Sequence, residues 1–350
     1  MRALTVVPLQ AGSAAVTDMP DPEPAAGELL VDGIALGVCG TDREIADGDY
    51  GWAPPGSERL ILGHESLGRV REAPERSGFA PGDLVVGVVR RPDPEPCEAC
   101  ARGEFDFCRN GRYTERGIKE LHGYGSEQWA VEADYAVKLD AELESVGMLM
   151  EPTTIVAKAW DQIERIGRRA YFAPRRALVT GAGPIGLLAA LLGAQRGIEM
   201  HVLDRVTEGP KPDLVADLGG HYHSRDLASA VGECEPEVIV EATGVGQLVF
   251  DAMQHTAAAG IVCLTGVSPT GRGLSVDAGA INRDLVLEND VVFGSVNANR
   301  RHYEMAADAL AKADRDWLAR LVTRRVPLER FQEALERRPD DVKVVIDLGG

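Results

Sequence analysis

One stretch of the chain, residues 177–205, constrains the fold more than any other. It reads ALVTGAGPIGLLAALLGAQRGIEMHVLDR: an apolar strand, a glycine turn, a helix-length apolar segment and a second strand that ends in an acid. In a dinucleotide-binding unit, the three glycines permit a tight turn, close approach of a pyrophosphate and close helix packing, and the helix N-terminus attracts phosphate. The same glycines would also suit a plain corner between a strand and a helix. The predicted cofactor residues are Gly181, Gly183, Pro184, Ile185, Gly186, Asp204 and Arg205.

Strands and helices alternate from residue 176 to about 296. Helices near 212–218, through 250–258 and around 280–287 separate the apolar runs EVIVEATG, GIVCLTGV and VVFGSV. This alternation predicts an α/β domain with a doubly wound parallel (Rossmann) sheet, which binds ligands at the carboxyl ends of its strands. The ribose and the nicotinamide are therefore expected at two strand ends, formed by Thr243, Gly244, Gly266 and Val267.

The first 150 residues follow a different pattern. Short runs such as GELLVDGIALGVCG and GDLVVGVVR stand between Gly, Pro and Asp clusters, which predicts a compact antiparallel β unit with long loops. Apolar residues at helical spacing over 145–168 predict a bridging helix, and a helical pattern returns after 297 before the strand KVVIDL. We therefore predict a catalytic domain of residues 1–156 and 297–350 and a dinucleotide-binding domain of residues 157–296.

Composition limits the partners. The 350 residues are enough for two hydrophobic cores. The net charge of −18 argues against nucleic acid and anionic membranes as partners. The sequence has no apolar run long enough to span a membrane and no signal peptide at its start, which favours the cytoplasm. Six cysteines in such a chain indicate metal ligands or buried thiols before disulfides.

Two short motifs carry candidate metal ligands. Cys39 ends a strand in CGTD, and His64 and Glu65 follow 25 residues later in GHE. A thiolate, an imidazole and a carboxylate at strand ends of one β unit suit an open zinc site. Each residue alone has an ordinary structural role, because lone cysteines and histidines are commonly core residues. The sequence therefore favours zinc without establishing it.

These motifs, in this order, resemble the zinc-containing medium-chain dehydrogenase/reductase superfamily. CGTD, GHE, a cysteine cluster and Glu-Pro precede GAGPIG, while RRP, ERGIKELHGYGSE, EATG and GSVN resemble the archaeal-type glucose 1-dehydrogenases within it. The resemblance covers essentially the whole chain. It implies that the first predicted domain is GroES-like and that the protein is a zinc-dependent NAD(P) dehydrogenase.

The resemblance also assigns roles to single residues. It implies that Cys39 and His64 bind the catalytic zinc, Glu65 binds it directly or through water, and Glu151 supplies a further ligand. Asp42 would hold the His64 ring in place, and the Thr41 hydroxyl would take the substrate proton. A plain alternative for Glu151 is a carboxylate that stabilises the N-terminus of the bridging helix.

A second cysteine group departs from the pattern of the resembling enzymes. Members with a structural zinc carry four cysteines in a lobe, whereas this chain has Cys97, Cys100 and Cys108. Closed zinc sites have four ligands, so either Asp93 or Glu95 completes the set or the lobe is held without metal.

Substrate and cofactor contacts are implied in the same way. Glu115 and Asn297 match sugar-contacting positions, and Asn297 also lies beside the cofactor; the alternatives are a solvated loop acid and a turn residue. Asp204 favours NAD because an acid there binds the ribose hydroxyls and repels the extra phosphate of NADP, whereas Arg205 favours NADP. We expect NAD with some use of NADP.

Three functions remain open at this point. The leading one is oxidation of an aldose, above all β-D-glucose, at C1 to the lactone. The second keeps the fold and the metal but acts on a polyol, a cyclitol or an amino sugar. The third is a dinucleotide-binding regulator without zinc or activity. The resemblance also implies a homodimer or homotetramer, paired through the apolar strand VVFGSV if that strand lies at a sheet edge.

Overall fold

The computed structural model describes residues 1–269, 271 and 273–349. They form two compact units. The first contains Met1–Glu151, Ala298–Lys312 and the chain from Val322 onward, and the second contains Pro152–Asn297 and Ala313–Leu321. The division differs from the predicted one mainly at Ala313–Leu321, because Trp317 Nε1 donates a hydrogen bond of 2.8 Å to the carbonyl of Leu214 in the second unit.

The first 149 residues form the β-rich part of the first unit. Strands here alternate or run apolar, as in Glu28–Val38, whose residues Leu29 and Val31 are fully buried. One short helix, α1 (Gly40–Ala46), follows this strand directly. The strands are β1 (Arg2–Val6), β2 (Ala15–Asp18), β3 (Glu28–Val38), β4 (Leu60–Ile61), β5 (Glu65–Glu72), β6 (Leu84–Gly87), β7 (Arg90–Arg91), β8 (Thr114–Arg116), β9 (Glu120–Leu121), β10 (Gln128–Glu132) and β11 (Ala136–Lys138). Single 3-10 turns lie at Cys100–Arg102, Phe105–Phe107, Ala133–Tyr135, Ala141–Leu143 and Gly147–Leu149.

The second unit is built on a parallel sheet. After α2 (Met150–Gly167), six strands pair in parallel in the order β14-β13-β12-β15-β16-β17, which confirms the predicted doubly wound topology. Its strands are β12 (Arg176–Thr180), β13 (Glu199–Leu203), β14 (His221–His223), β15 (Val238–Glu241), β16 (Ile261–Leu264) and β17 (Val291–Gly294). Its helices are α3 (Pro184–Ala194), α4 (Pro210–Asp217), α5 (Leu227–Cys234), α6 (Gly246–Ala252) and α7 (Ala278–Glu288).

The helix predicted through 250–258 is shorter in the structure. It runs from Gly246 to Ala252, and the alanines at 257–259 lie outside it. Ala257 N donates to the carbonyl of Pro236 at 2.9 Å, and Ala259 adopts a left-handed φ of +62°. Apolar alanines therefore form a turn into β16 instead of a last helical turn. β14 and α5 were not predicted, since each is short and mixed in composition.

The last 50 residues complete both units. The elements are α8 (Arg300–Lys312), α9 (Arg315–Leu321), β18 (Val322–Pro327), the 3-10 turn Leu328–Arg330, α10 (Phe331–Leu335) and β19 (Lys343–Asp347). β19 joins the main sheet of the first unit, whose order is β11-β6-β5-β3-β19-β18 with β10 on β3. Within the described ranges, no helix is long and apolar enough to cross a membrane.

Candidate active site

Strand pairing in the first unit brings the predicted metal ligands together. Cys39 follows the end of β3 and His64 precedes the start of β5, and these strands pair antiparallel with Gly37 opposite Glu65. The end of one strand therefore lies beside the beginning of the other. One ligand atom from each of Cys39, His64 and Glu65 lies within 4.8 Å of the others. A Cβ at Gly37 would lie 2.0 Å from Glu65 Oε2, so glycine makes room for this carboxylate.

Asp42 and His64 form a buried pair beside Cys39. Asp42 Oδ2 accepts a hydrogen bond of 2.8 Å from Cys39 N, and its Oδ1 lies 3.4 Å from His64 Nδ1. Burial by itself would lower the pKa of His64, but Asp42 and Cys39 raise it well above its ordinary value. The surroundings of His64 therefore stabilise positive charge. A carboxylate on Nδ1 also leaves the other ring nitrogen for a ligand role.

Lys343 is a buried cation that the sequence analysis missed. Its Nζ lies 2.6 Å from both carboxylate oxygens of Glu65 and donates to the carbonyl of Val38 at 3.2 Å. The register of β19 against β3, with Val344 opposite Val38, puts Lys343 there. Both side chains of the ion pair are 2% exposed. Glu65 is thus held by an ammonium group as well as lying beside Cys39 and His64.

Glu151 lies at the start of α2, near the same group of charges. The pKa of Glu151 is raised to about 7, mainly by burial; Glu65 acts in the same direction and His64 opposes the shift. Glu151 is not in the set of three ligand atoms within 4.8 Å, so its role as a ligand stays a prediction. Its position in the first turn of α2 also fits the alternative of a helix-stabilising carboxylate.

The donor set fits a zinc ion. Thiolate, imidazole and carboxylate are the ligand types that zinc takes, and three of them with an open position are typical of catalytic sites. Asp42 Oδ1 and His64 Nδ1 are buried without a hydrogen-bond partner of normal geometry, so their contact is looser than the Asp42 contact to Cys39. Thr41 Oγ1 lies 4.0 Å from Cys39 Sγ, which puts the predicted proton acceptor at the same site.

The three remaining cysteines of the first unit also meet. Ligand atoms of Cys97, Cys100 and Cys108 lie within 4.8 Å of one another. Hydrogen bonds from the backbone, above all from Arg109 N, lower the pKa of Cys97 to about 6, which favours a thiolate. Asp93 is not in this set, because its carboxylate accepts from Glu95 N at 2.8 Å and lies 3.3 Å from Arg112 Nε. Three thiols suit zinc, while Asp93 as fourth ligand stays a prediction.

Glu115 is a buried member of β8 and not a solvated loop acid. Its Oε1 accepts hydrogen bonds from Arg90 at 2.9 and 3.1 Å, and Arg90 stacks over the Tyr113 ring at 3.7 Å. Tyr50 lies nearby: burial raises the pKa of its hydroxyl, and Glu115 adds to the shift. Tyr50 and Trp52 form an exposed edge-to-face pair, with ring centroids 5.0 Å apart, that the sequence analysis did not single out.

The glycine turn of the second unit has the geometry of a phosphate-binding turn. Gly181 adopts a φ of +92°, and a Cβ at Gly186 would lie 1.7 Å from the carbonyl oxygen of Gly181. A Cβ at Gly183, by contrast, would meet no protein atom within 4 Å. Packing therefore does not require glycine at 183, whereas close approach of a ligand would. Pro184 and Ile185 open α3 directly behind this turn, so a helix N-terminus, which attracts phosphate, adjoins it.

Asp204 is held at the end of β13. Its Oδ2 accepts from Ala182 N at 2.7 Å and its Oδ1 accepts from Val206 N at 3.0 Å. Burial alone would raise the pKa of Asp204, but these backbone donors and Lys211 lower it. Lys211 Nζ lies 3.3 Å from Asp204 Oδ2, and the sequence analysis did not assign it a role. Lys211 therefore adds a cation beside the acid that was predicted to select NAD.

Glu241 organises the strand ends predicted to hold the ribose and the nicotinamide. Its buried carboxylate accepts from Thr180 Oγ1 at 3.2 Å, Thr243 N at 2.8 Å and Gly244 N at 3.1 Å. Gly244 and Gly266 approach so closely that a Cβ on Gly266 would lie 2.1 Å from Gly244 N. Glu241, the first residue of the EATG motif, therefore holds the two strand ends together through buried hydrogen bonds. The sequence analysis used this residue only as part of a resemblance.

Val267 and Asn297 are the two remaining predicted site residues of the second unit. The side chain of Val267 is 81% exposed. Asn297, beyond β17, takes a left-handed φ of +61°, which fits the alternative of a turn residue. Its roles in sugar and cofactor binding stay predictions.

Comparison with known proteins agrees with this architecture. Residues 25–141 match the alcohol dehydrogenase GroES-like domain, and residues 144–348 match the glucose dehydrogenase C-terminus. The glucose 1-dehydrogenase of Methanocella arvoryzae is 42% identical, with 100% of both chains covered. Glucose 1-dehydrogenase 1 of Caldivirga maquilingensis is 41% identical, with 99% of both chains covered.

A solved structure is similar over the same length. Haloferax mediterranei glucose dehydrogenase in complex with NADP, Zn and gluconolactone matches with a TM-score of 0.91 at 33% identity, covering 100% of both chains. A GroES-like unit and a doubly wound parallel sheet define the medium-chain dehydrogenase/reductase class. Within that class, the chain belongs to the glucose dehydrogenase family, and the resemblance found in its motifs is confirmed.

Proposed function

We propose that the protein is a zinc-dependent dehydrogenase that oxidises β-D-glucose at C1 to the lactone and reduces NAD or NADP. The observation that carries this proposal is the set of Cys39, His64 and Glu65, in which His64 and Glu65 are buried and Cys39 is partly buried, with Asp42 Oδ1 3.4 Å from His64 Nδ1. The relatives named as glucose 1-dehydrogenases, and the relative bound to NADP, Zn and gluconolactone, support the same chemistry.

Each site residue of the first unit has a separate role in the proposed reaction. Bound zinc would acidify a coordinated hydroxyl group, so that its proton leaves at neutral pH. Cys39 and His64 would hold the ion, and Asp42 would keep the His64 ring in the ligating orientation. Thr41 would accept the O1 proton of the sugar at Oγ1 and release its own hydroxyl proton to solvent. A bound nicotinamide would supply the acceptor for the C1 hydrogen and its electron pair.

The sugar contacts follow from the chemistry of the surrounding residues. A carboxylate such as Glu115 can accept hydrogen bonds from vicinal hydroxyls, and a site built around such bonds can reject analogues that lack the hydroxyl by roughly 10⁴-fold or more. Asn297 adds an amide that can donate and accept. Tyr50 and Trp52 offer apolar ring surfaces to the CH face of a pyranose, since their rings are partly exposed.

The cofactor contacts follow from the second unit. The turn around Gly183 would bind the pyrophosphate, and Thr243 and Val267 would border the ribose and nicotinamide. Asp204 would accept from the adenosine ribose hydroxyls, while Arg205 and Lys211 offer charge to a 2′-phosphate. We therefore propose that NAD is preferred and NADP is also used.

Turnover is tested with a matched pair of cysteine variants. Zinc-loaded protein should reduce NAD with glucose, and a chelator should abolish this activity. Cys39→Ala should lose nearly all turnover and one zinc per chain, whereas Cys234→Ala, at a buried cysteine in the other unit, should retain both. If zinc-loaded protein turned over a polyol, cyclitol or amino sugar but no aldose, the sugar assignment would be wrong. If it lacked zinc and turned over nothing, a regulator would be the better description.

We also propose a second zinc at Cys97, Cys100 and Cys108, and an assembly of two or four chains. Thiolate ligands need reducing conditions, which favours the cytoplasm. β17 is the last strand of its sheet and its side chains are half-buried, so it offers an edge for a second copy. Metal analysis of a Cys97→Ser variant and the mass of the native assembly in solution test these two points.

A further inference from the structure

A cluster of histidines lies on one face of the second unit, at the edge of its sheet. In the parallel pairing of β13 and β14, His201 lies opposite His221. Side chains alternate along a strand, so Glu199 shares the face of His201 and His223 shares the face of His221. The His201 ring is stacked against both neighbours, with centroids 4.8 and 5.2 Å apart.

Three of these side chains have the geometry of a metal site. Ligand atoms of Glu199, His201 and His221 lie within 4.8 Å of one another. Glu199 Oε1 lies 3.0 Å from His201 Nε2 and 3.6 Å from His221 Nε2. Two ligands at about 2.1 Å from a tetrahedral zinc ion are about 3.4 Å apart, so the observed spacings bracket the value that coordination requires.

The His201 ring continues inward to a second imidazole. His201 Nδ1 lies 2.9 Å from His223 Nε2, and His223 Nδ1 lies 3.3 Å from Glu233 Oε2. When neutral His201 donates its ring proton from Nδ1 to His223, its Nε2 carries a lone pair that faces Glu199 Oε1 at 3.0 Å. A cation between these two acceptors turns their contact into coordination.

The three proposed ligands lie at different depths. His201 is 5% exposed, whereas the side chains of Glu199 and His221 are 51% and 57% exposed. One proposed ligand is therefore buried and the other two reach solvent, which allows a metal ion to enter.

We propose that Glu199, His201 and His221 bind a divalent transition-metal ion, with Zn²⁺ as the expected occupant and His223 and Glu233 as orienting partners. Two imidazoles and one carboxylate with an open fourth position suit zinc, and imidazole also suits nickel and copper. The ion would fasten the three-residue edge strand β14 to β13, the strand that ends beside Asp204. Asp204 N donates to the carbonyl of His223 at 3.0 Å, so the same two strands support the nucleotide end of the sheet.

Metal content tests this site on the full-length protein. The chain is stripped with a chelator, reloaded with Zn²⁺ alone, freed of excess metal and analysed for zinc per chain. His221→Ala should lose one equivalent that wild type holds, and Glu199→Gln should lose the same one. His255→Ala is the matched control, because His255 contacts Asp251 outside the cluster, and it should keep the full content. Equal zinc in all four proteins would show that the cluster is a hydrogen-bond network only.

Two further measurements keep the test independent of folding and of the other metal sites. Cobalt bound at the histidine cluster has no thiolate ligand, so the difference spectrum between wild type and His221→Ala should lack a sulfur-to-metal charge-transfer band. His223→Asn should weaken the zinc affinity of this site by about 10- to 100-fold, as loss of an orienting partner does elsewhere. A thiolate band in the difference spectrum, or unchanged affinity in His223→Asn, would contradict the assignment.

Discussion

The ion pair between Lys343 and Glu65 gives the sharpest prediction about the first unit. Lys343→Met keeps the length of the side chain but removes the ammonium, which lies 2.6 Å from both Glu65 oxygens at 2% exposure. Removing one partner of a buried pair costs about 3–5 kcal/mol, because the other charge is left without compensation. We therefore expect the metal-free variant to unfold with an equilibrium constant roughly 10²- to 10⁴-fold larger.

Urea unfolding of metal-free and zinc-loaded protein tests whether the lost stability comes from the uncompensated charge of Glu65. Zinc beside Glu65 supplies the missing positive charge, so the loaded variant should lose less stability than the metal-free one and should bind zinc more tightly than wild type. The double variant Glu65→Gln/Lys343→Met should recover most of the loss, since neutral groups of similar size can replace a buried pair. A loss below about 1 kcal/mol in the metal-free single variant, the range of an exposed pair, would refute the reasoning.

Three other changes test the two units. Glu241→Gln replaces an acceptor of several hydrogen bonds and should cost about 1.5–3 kcal/mol in unfolding free energy and weaken NAD binding, measured by urea unfolding and coenzyme titration; unchanged values in both would contradict its role. Lys211→Met should raise the KM for NADP more than that for NAD, and equal changes would exclude a role for its charge beside Asp204. Burial alone would raise the pKa of Glu132, but Arg91 lowers it from 4.5 to about 2, so this pair stabilises the fold above pH 4.5 and loses its effect as the pH falls toward 2. Glu132→Gln should therefore differ most from wild type near neutral pH and least in acid; a constant difference across that range, by denaturant unfolding, would argue against the pair.

Local rules explain what could be predicted about the second unit. The glycine turn was predictable because its requirements are met within six residues: a positive φ at Gly181 and close approach of Gly186 to the Gly181 carbonyl. The parallel sheet was predictable because alternating apolar runs and helical spacing are also visible over short segments of the chain. Local composition misled at the alanines that end at Ala259, where Ala257 N instead donates to the carbonyl of Pro236, ahead of β15.

Sequence by itself determined which chemical groups this protein carries and which turns and strands present them: the thiol of Cys39, the imidazole of His64 and the glycines of the nucleotide turn. Only the tertiary structure decided the partners of those groups. Lys343 reaches Glu65 across 278 positions of the chain, and the histidine cluster exists because β13 and β14 pair in one register. Residue patterns report periodicity and turn chemistry over a few positions, whereas strand register and long-range packing bring distant charges together.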